Sequence, residues 1–161
     1  MIPSEYLVPY AVSNTVALVL LATAFRRPTW VRWASIVIFL WAAWTNARLA
    51  LTDPLEYQGF AELALLDSYR RFILGWFRDH TTALVLSIAA GQLTIAVLMA
   101  LNARWGLRLG VIGAVVFLSA IVPLGVGSAL PFSLIYGAAL VIMVRRISET
   151  QSTAHARPAR S

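Results

Sequence analysis

Long apolar runs alternate with short charged turns along this chain, and that alternation predicts a helical membrane protein. Residues 6–25 carry no charge and are long enough to cross a bilayer as a helix. Residues 31–51, 81–101, 107–122 and 130–144 read the same way, the last being short. Fusing the last two runs would give one far overlong span broken by Pro123, Gly125 and Gly127, so 123–128 is read as a turn.

One stretch breaks the rhythm. Residues 53–80 form the only long segment rich in charge. Asp53-Pro54-Leu55-Glu56 reads as a capping box opening a helix that runs to about residue 77, with Gly59 and Gly75 as weak points. Leu55, Leu66, Tyr69, Ile73, Trp76 and Phe77 would share one broad face, with Asp67, Arg71 and Arg78 opposite. Asp67 and Arg71 are spaced as an i, i+4 pair. A bilayer crossing here would place Glu62, Asp67, Arg70 and Arg71 near mid-membrane, at a cost of about 10 kcal/mol. The segment 54–77 is therefore expected to lie in the interface as an amphipathic lid.

Several polar residues sit inside the spans, and each has two readings. Ser13, Asn14 and Thr15 bond a neighbouring helix or line a cavity. Trp41, Trp44 and Arg48 share a face, with Thr45 and Asn46 close by. They form an aromatic belt with a snorkelling arginine, or a pocket beneath the lid. In the second case Arg48 holds an anionic group or pairs with Glu62 or Asp53. Gln92, near the middle of its span, needs a partner, either another helix or a ligand. Ala83, Ser87 and Gly91, and likewise Gly106, Gly110 and Ala114, are spaced as close-packing stripes.

Composition sharpens the picture. The 161 residues are 60% hydrophobic and 12% charged, against about 25% charged in a soluble domain. Residues 1–147 make one transmembrane domain, and 148–161 a polar tail expected to be disordered. The net charge of +6 is entirely arginine and clusters at span ends, which argues against a nucleic-acid partner. Arg26, Arg27 and Arg32, then Arg104 and Arg108, then Arg145 and Arg146 fall on one side if there are five spans. The N-terminus is then outside and the C-terminus cytoplasmic. Residues 22–24 look like a signal-peptidase site, but no basic region precedes the first run, so it is read as uncleaved. Without cysteine the chain has no thiol chemistry, and His80 and His155 alone make no metal site.

The pattern Pro54, Tyr57, Phe60-Ala61-Glu62-Leu63-Ala64 and Tyr69-Arg70 before Ile73 carries a resemblance. So do Gly91-Gln92-Leu93-Thr94-Ile95-Ala96, Arg108-Leu109-Gly110 and Pro123-Leu124-Gly125. On these residues, over about two thirds of its length, the chain resembles the DoxX-like family of small bacterial multi-pass membrane proteins. The resemblance implies a compact bundle of about four spans. It also implies, for some members, a link to quinone-dependent sulfur oxidation or oxidative-stress complexes. The extra span and the missing cysteines depart from that pattern.

Three functions are compatible with these residues. A non-catalytic subunit, scaffold or small binding protein of an inner-membrane complex fits the lack of a catalytic constellation. Its partners would be membrane lipid, another protein or a second copy through the glycine faces, and it needs no cofactor. A membrane redox enzyme acting on a quinone or another lipophile would use Glu62 as proton carrier and Tyr69 as donor, i, i+7 on the lid. Arg48 or Arg70 would clamp an anion, with Trp44, Asn46 and Gln92 lining the ligand site. A small transporter is the third, hinted at only by the 123–128 turn.

Overall fold

The computed structural model describes residues 4–155, and all regular structure there is helical. Five long helices form the bundle: α1 (Ser4–Arg26), α2 (Pro28–Thr52), α5 (Arg78–Ala100), α6 (Arg104–Ile121) and α7 (Phe132–His155). Two short helices, α3 (Phe60–Leu63) and α4 (Asp67–Phe72), lie between α2 and α5. The long helices fall on the expected apolar runs to within a few residues, except that α7 continues past its run. Four segments are long and apolar enough to cross a membrane: Leu7–Arg26, Pro28–Thr52, Asp67–Ala100 and Arg104–Ser128. The fifth long helix, α7, is apolar only until Arg145 and Arg146.

The core explains why α7 belongs with the others. Tyr136, Ala139, Leu140 and Met143 of α7 are almost wholly buried against Ala17 and Leu20 of α1, Phe39 of α2 and Leu118 of α6. The outer surface carries Val8, Val19, Val37, Leu93, Ile112 and Val116, all exposed. An apolar outside around an apolar inside is the pattern of helices that meet lipid. Gly106, Gly110 and Ala114 are buried, as their spacing predicts. A Cβ on Gly110 would stand 2.8 Å from Met99 Cγ, so only glycine lets α6 lie this close to α5. The other small-residue stripe behaves differently: Ala83, Ser87 and Gly91 face outward, because Val85, Ala89 and Gln92 take the inner side of α5.

Arg32 ties two ends of the chain together. Its Nε donates to the Met99 carbonyl at 2.7 Å, and one terminal nitrogen donates to Ala100 at 3.2 Å and Leu101 at 2.8 Å. These carbonyls close α5 and lack helical N–H partners, so the guanidinium caps the helix and meets the negative end of its dipole. The α1–α2 and α5–α6 turns therefore share one end of the bundle. Val144, Ile147 and Ser148 of α7 meet them there around a small cleft.

The opposite end holds the departures from expectation. No single helix covers 54–77. A 3-10 turn (Pro54–Gly59) leads into α3, Ala64 and Leu66 are extended, and α4 then passes through a wide π turn (Ile73–Phe77) into α5. The break at 64–66 is a tertiary effect. Leu65 N–H donates to the Pro123 carbonyl at 2.9 Å, docking this segment on the 3-10 turn Val122–Ser128. The capping box also fails: the Asp53 side chain caps nothing. Its N–H ends α2 on Leu49, and its main-chain carbonyl takes the Glu56 N–H at 3.3 Å, as an i+3 turn requires. Finally, 148–155 continues α7 as helix rather than starting a disordered tail, since no glycine or proline interrupts it before Pro158. Residues 156–161 lie outside the described residues.

Candidate functional site

The broken segment covers a cavity of about 320 Å³ between α2, α5 and α6. That is near the lower limit for a site holding a small organic molecule. Its walls are aromatic and aliphatic side chains in nearly equal number. Tyr57 lies 6.0 Å from Phe60 and 6.4 Å, edge-on, from Phe77, while Phe72 and Phe77 are 5.9 Å apart between ring centres. Phe117 and Ile121 of α6 and Val85 and Ile88 of α5 complete the apolar lining.

The local sequence explains why these rings converge. Pro54 starts the 3-10 turn, which buries Tyr57 one turn on. The π turn adds a residue to the helical count, so Ile73 and Phe77 are both buried beneath the segment. The non-helical torsions that permit this, φ −102° and ψ −114°, fall on Gly75. Close approach from the other side rests on Gly125 and Gly127. A Cβ on Gly125 would meet the Leu63 carbonyl at 2.8 Å, and one on Gly127 would meet Phe60 at 2.6 Å.

Three polar side chains line the cavity: Asn46, Tyr57 and Tyr69. Tyr57 donates to Asn46 Oδ1 at 3.0 Å, and Asn46 Nδ2 donates to Gln92 Oε1 at 2.9 Å. Tyr69 donates to the Ala120 carbonyl at 3.0 Å, in the last turn of α6. Burial pushes the Tyr57 hydroxyl above its ordinary pKa, which keeps it neutral. Asp, Glu, His and Arg are all missing from the lining. Among the described residues no three His, Asp or Glu side chains gather as metal ligands.

The residues singled out in the sequence divide here. Asn46 and Tyr69 line the cavity, and Gln92, only 2% exposed, supports Asn46 from behind. Glu62, Arg70 and Arg48 are exposed and stand outside the lining, and Trp44 points outward at 67% exposure. The i, i+7 relation of Glu62 and Tyr69 does not hold, because the helix is interrupted between them. His80 is exposed and stacks on Trp76 at 4.3 Å while bonding its carbonyl. Sequence reasoning missed the aromatic wall and the role of Tyr57. The signal was there in the six aromatics of 57–77, a density that no other polar stretch of the chain reaches.

Asn14, noted in the first span, serves packing: its amide donates to Tyr10 in the same helix and to Ala129 in the turn before α7, both at 3.0 Å.

Comparison with protein-family models, curated proteins and solved structures yields no match to this chain. The fold and the site define an all-helical protein with four helices fit to cross a membrane and one aromatic cavity at an end of the bundle.

Proposed function

We propose that this chain is a non-catalytic protein of the bacterial inner membrane that holds a lipophilic molecule within a larger membrane complex. The observation that carries the reading is the cavity itself. It is walled by aromatic and aliphatic side chains, has three polar side chains, and has no ionisable group suited to moving protons near neutral pH. Binding needs only the rings and the hydroxyls; acid–base turnover needs a group poised near neutrality. Glu62, exposed and outside the lining, does not supply one.

A five-span arrangement with the N-terminus outside accompanies this reading, α7 being the fifth span. The shared end of the two arginine turns supports it, since Arg32 and Arg104 border one cleft with the end of α7. The DoxX-like resemblance implies about four spans, one fewer than this arrangement. A quinone, which that resemblance suggests, would find rings to stack on. Its two carbonyls, however, need donors, and with both tyrosine protons already on protein acceptors only one Asn46 N–H is left to give. Redox chemistry is therefore the weaker reading.

The test is native mass spectrometry on protein extracted in mild detergent. A lipophile is expected to co-purify with the wild type and to be lost from Ile88→Trp, which fills the cavity. Retention of the same molecule by a folded Ile88→Trp would place it elsewhere and sink the reading.

A further inference from the structure

The polar side chains of the cavity specify more than an apolar ligand. A neutral phenol has one proton to give and lone pairs to receive. Tyr69 has given its proton to Ala120 at 3.0 Å, a carbonyl near the end of α6. Tyr57 has given its proton to Asn46 Oδ1 at 3.0 Å, and the Asn46 main-chain carbonyl also lies 3.4 Å from the Tyr57 hydroxyl. Turning the Asn46 amide over would leave that main-chain oxygen as the acceptor, so the Tyr57 proton is engaged in either orientation. Asn46 has one N–H on Gln92, leaving its second as the only side-chain donor without an assigned acceptor on the wall.

The wall thus presents two phenolic oxygens that can accept and one amide that can donate. A carbonyl or an ether placed there sets lone pair against lone pair at both tyrosines. An ammonium would donate well but would be desolvated with no carboxylate in the lining to balance it. A hydroxyl meets both needs: it donates to a tyrosine oxygen and can accept from the amide. Resting on the lipophile-binding reading above, we infer that the cavity selects a neutral hydroxyl-bearing lipophile, a phenol or alcohol on an apolar body, over the matching ether or ketone.

Two probes of nearly equal shape test this: 4-octylphenol and its methyl ether, 4-octylanisole. Full-length protein in nanodiscs is dialysed against each, with empty nanodiscs subtracted for partition into lipid. The phenol is expected to bind about fivefold more tightly than the ether, the worth of one hydrogen bond. Tyr69→Phe, which removes only the hydroxyl, is expected to bring the phenol down towards the ether while ether binding is kept. Tyr57→Phe serves as the second variant if Tyr69→Phe does not fold. Equal binding of both probes by the wild type would overturn the hydroxyl preference and leave the cavity reading standing. A preference unchanged in both folded tyrosine variants would also overturn it, since the tyrosines would not be reading the ligand. Protein-dependent binding of neither probe would remove the lipophile-binding reading, and the inference with it.

Discussion

Tyr57 joins three parts of the chain with one side chain. It stands on the 3-10 turn, bonds α2 through Asn46, and packs its ring on Phe77 next to α5. Losing the hydroxyl in Tyr57→Phe should cost about 1 kcal/mol and leave Asn46 short of a donor. The pH dependence has a definite sign. The folded-state pKa is raised above 10.0 by burial, so the stabilisation that favours the neutral phenol is complete below that value. It is lost as pH rises through the higher folded-state value. Thermal melts in one detergent should therefore show an alkaline loss in the wild type that is smaller in Tyr57→Phe; an identical loss in both would refute the assignment. At this scale part of the site was legible. An amide buried in a span must have a partner, which singles out Gln92 and Asn46 from sequence alone. That they bond each other, and that Tyr57 completes the set, depends on how α2 and α5 face one another, which spacing along one helix does not report. Arg48 and Trp44 share a helical face with each other, as their spacing says, but that face turns outward.

Helices written by hydropathy came out with bounds close to those expected, because lipid-length apolar runs have few alternatives to helix. The segment over the cavity did not, and the reason lies outside it. Ala64, Leu65 and Leu66 have good helix propensity, yet two of them are extended because the Leu65 amide pairs with Pro123. A contact nearly sixty residues away outweighs local preference, by an interaction no local pattern encodes. Gly125 makes the docking feasible, with φ +60° and its missing Cβ facing the Leu63 carbonyl. Gly125→Ala should raise the energy of this arrangement by about 1–3 kcal/mol. Hydrogen exchange at the Leu65 amide is then expected to quicken at least about fivefold, while amides in the middle of α5 and α6 keep their protection. Unchanged exchange at Leu65 would mean that the segment does not depend on this contact.

The whole molecule places its arginine turns at one end and its aromatic cavity at the other. If the arginine end is cytoplasmic, Asp53→Cys should react with a membrane-impermeant thiol reagent on intact cells. Asn102→Cys should react only after the cells are opened, and the absence of native cysteine makes the signal clean. The reverse pattern would invert the topology. Charge at the span ends is the ground in the sequence for proposing this orientation, whereas the joining of the ends by Arg32 was not legible, since nothing near Arg32 points to Met99. Arg32→Gln should lower stability by about 2 kcal/mol in thermal melts, as charged hydrogen bonds are lost, and leave orientation to Arg26 and Arg27. The separation of 67 to 69 positions between Arg32 and its acceptors also sets an order of events during synthesis. The α1–α2 hairpin emerges from the ribosome and meets the membrane while the carbonyls it will grip have not yet been translated. Until then its guanidinium has none of these partners. Only when the last residues of α5 arrive can it reach these peptide oxygens, so the hairpin cannot be fastened to α5 before that helix is complete.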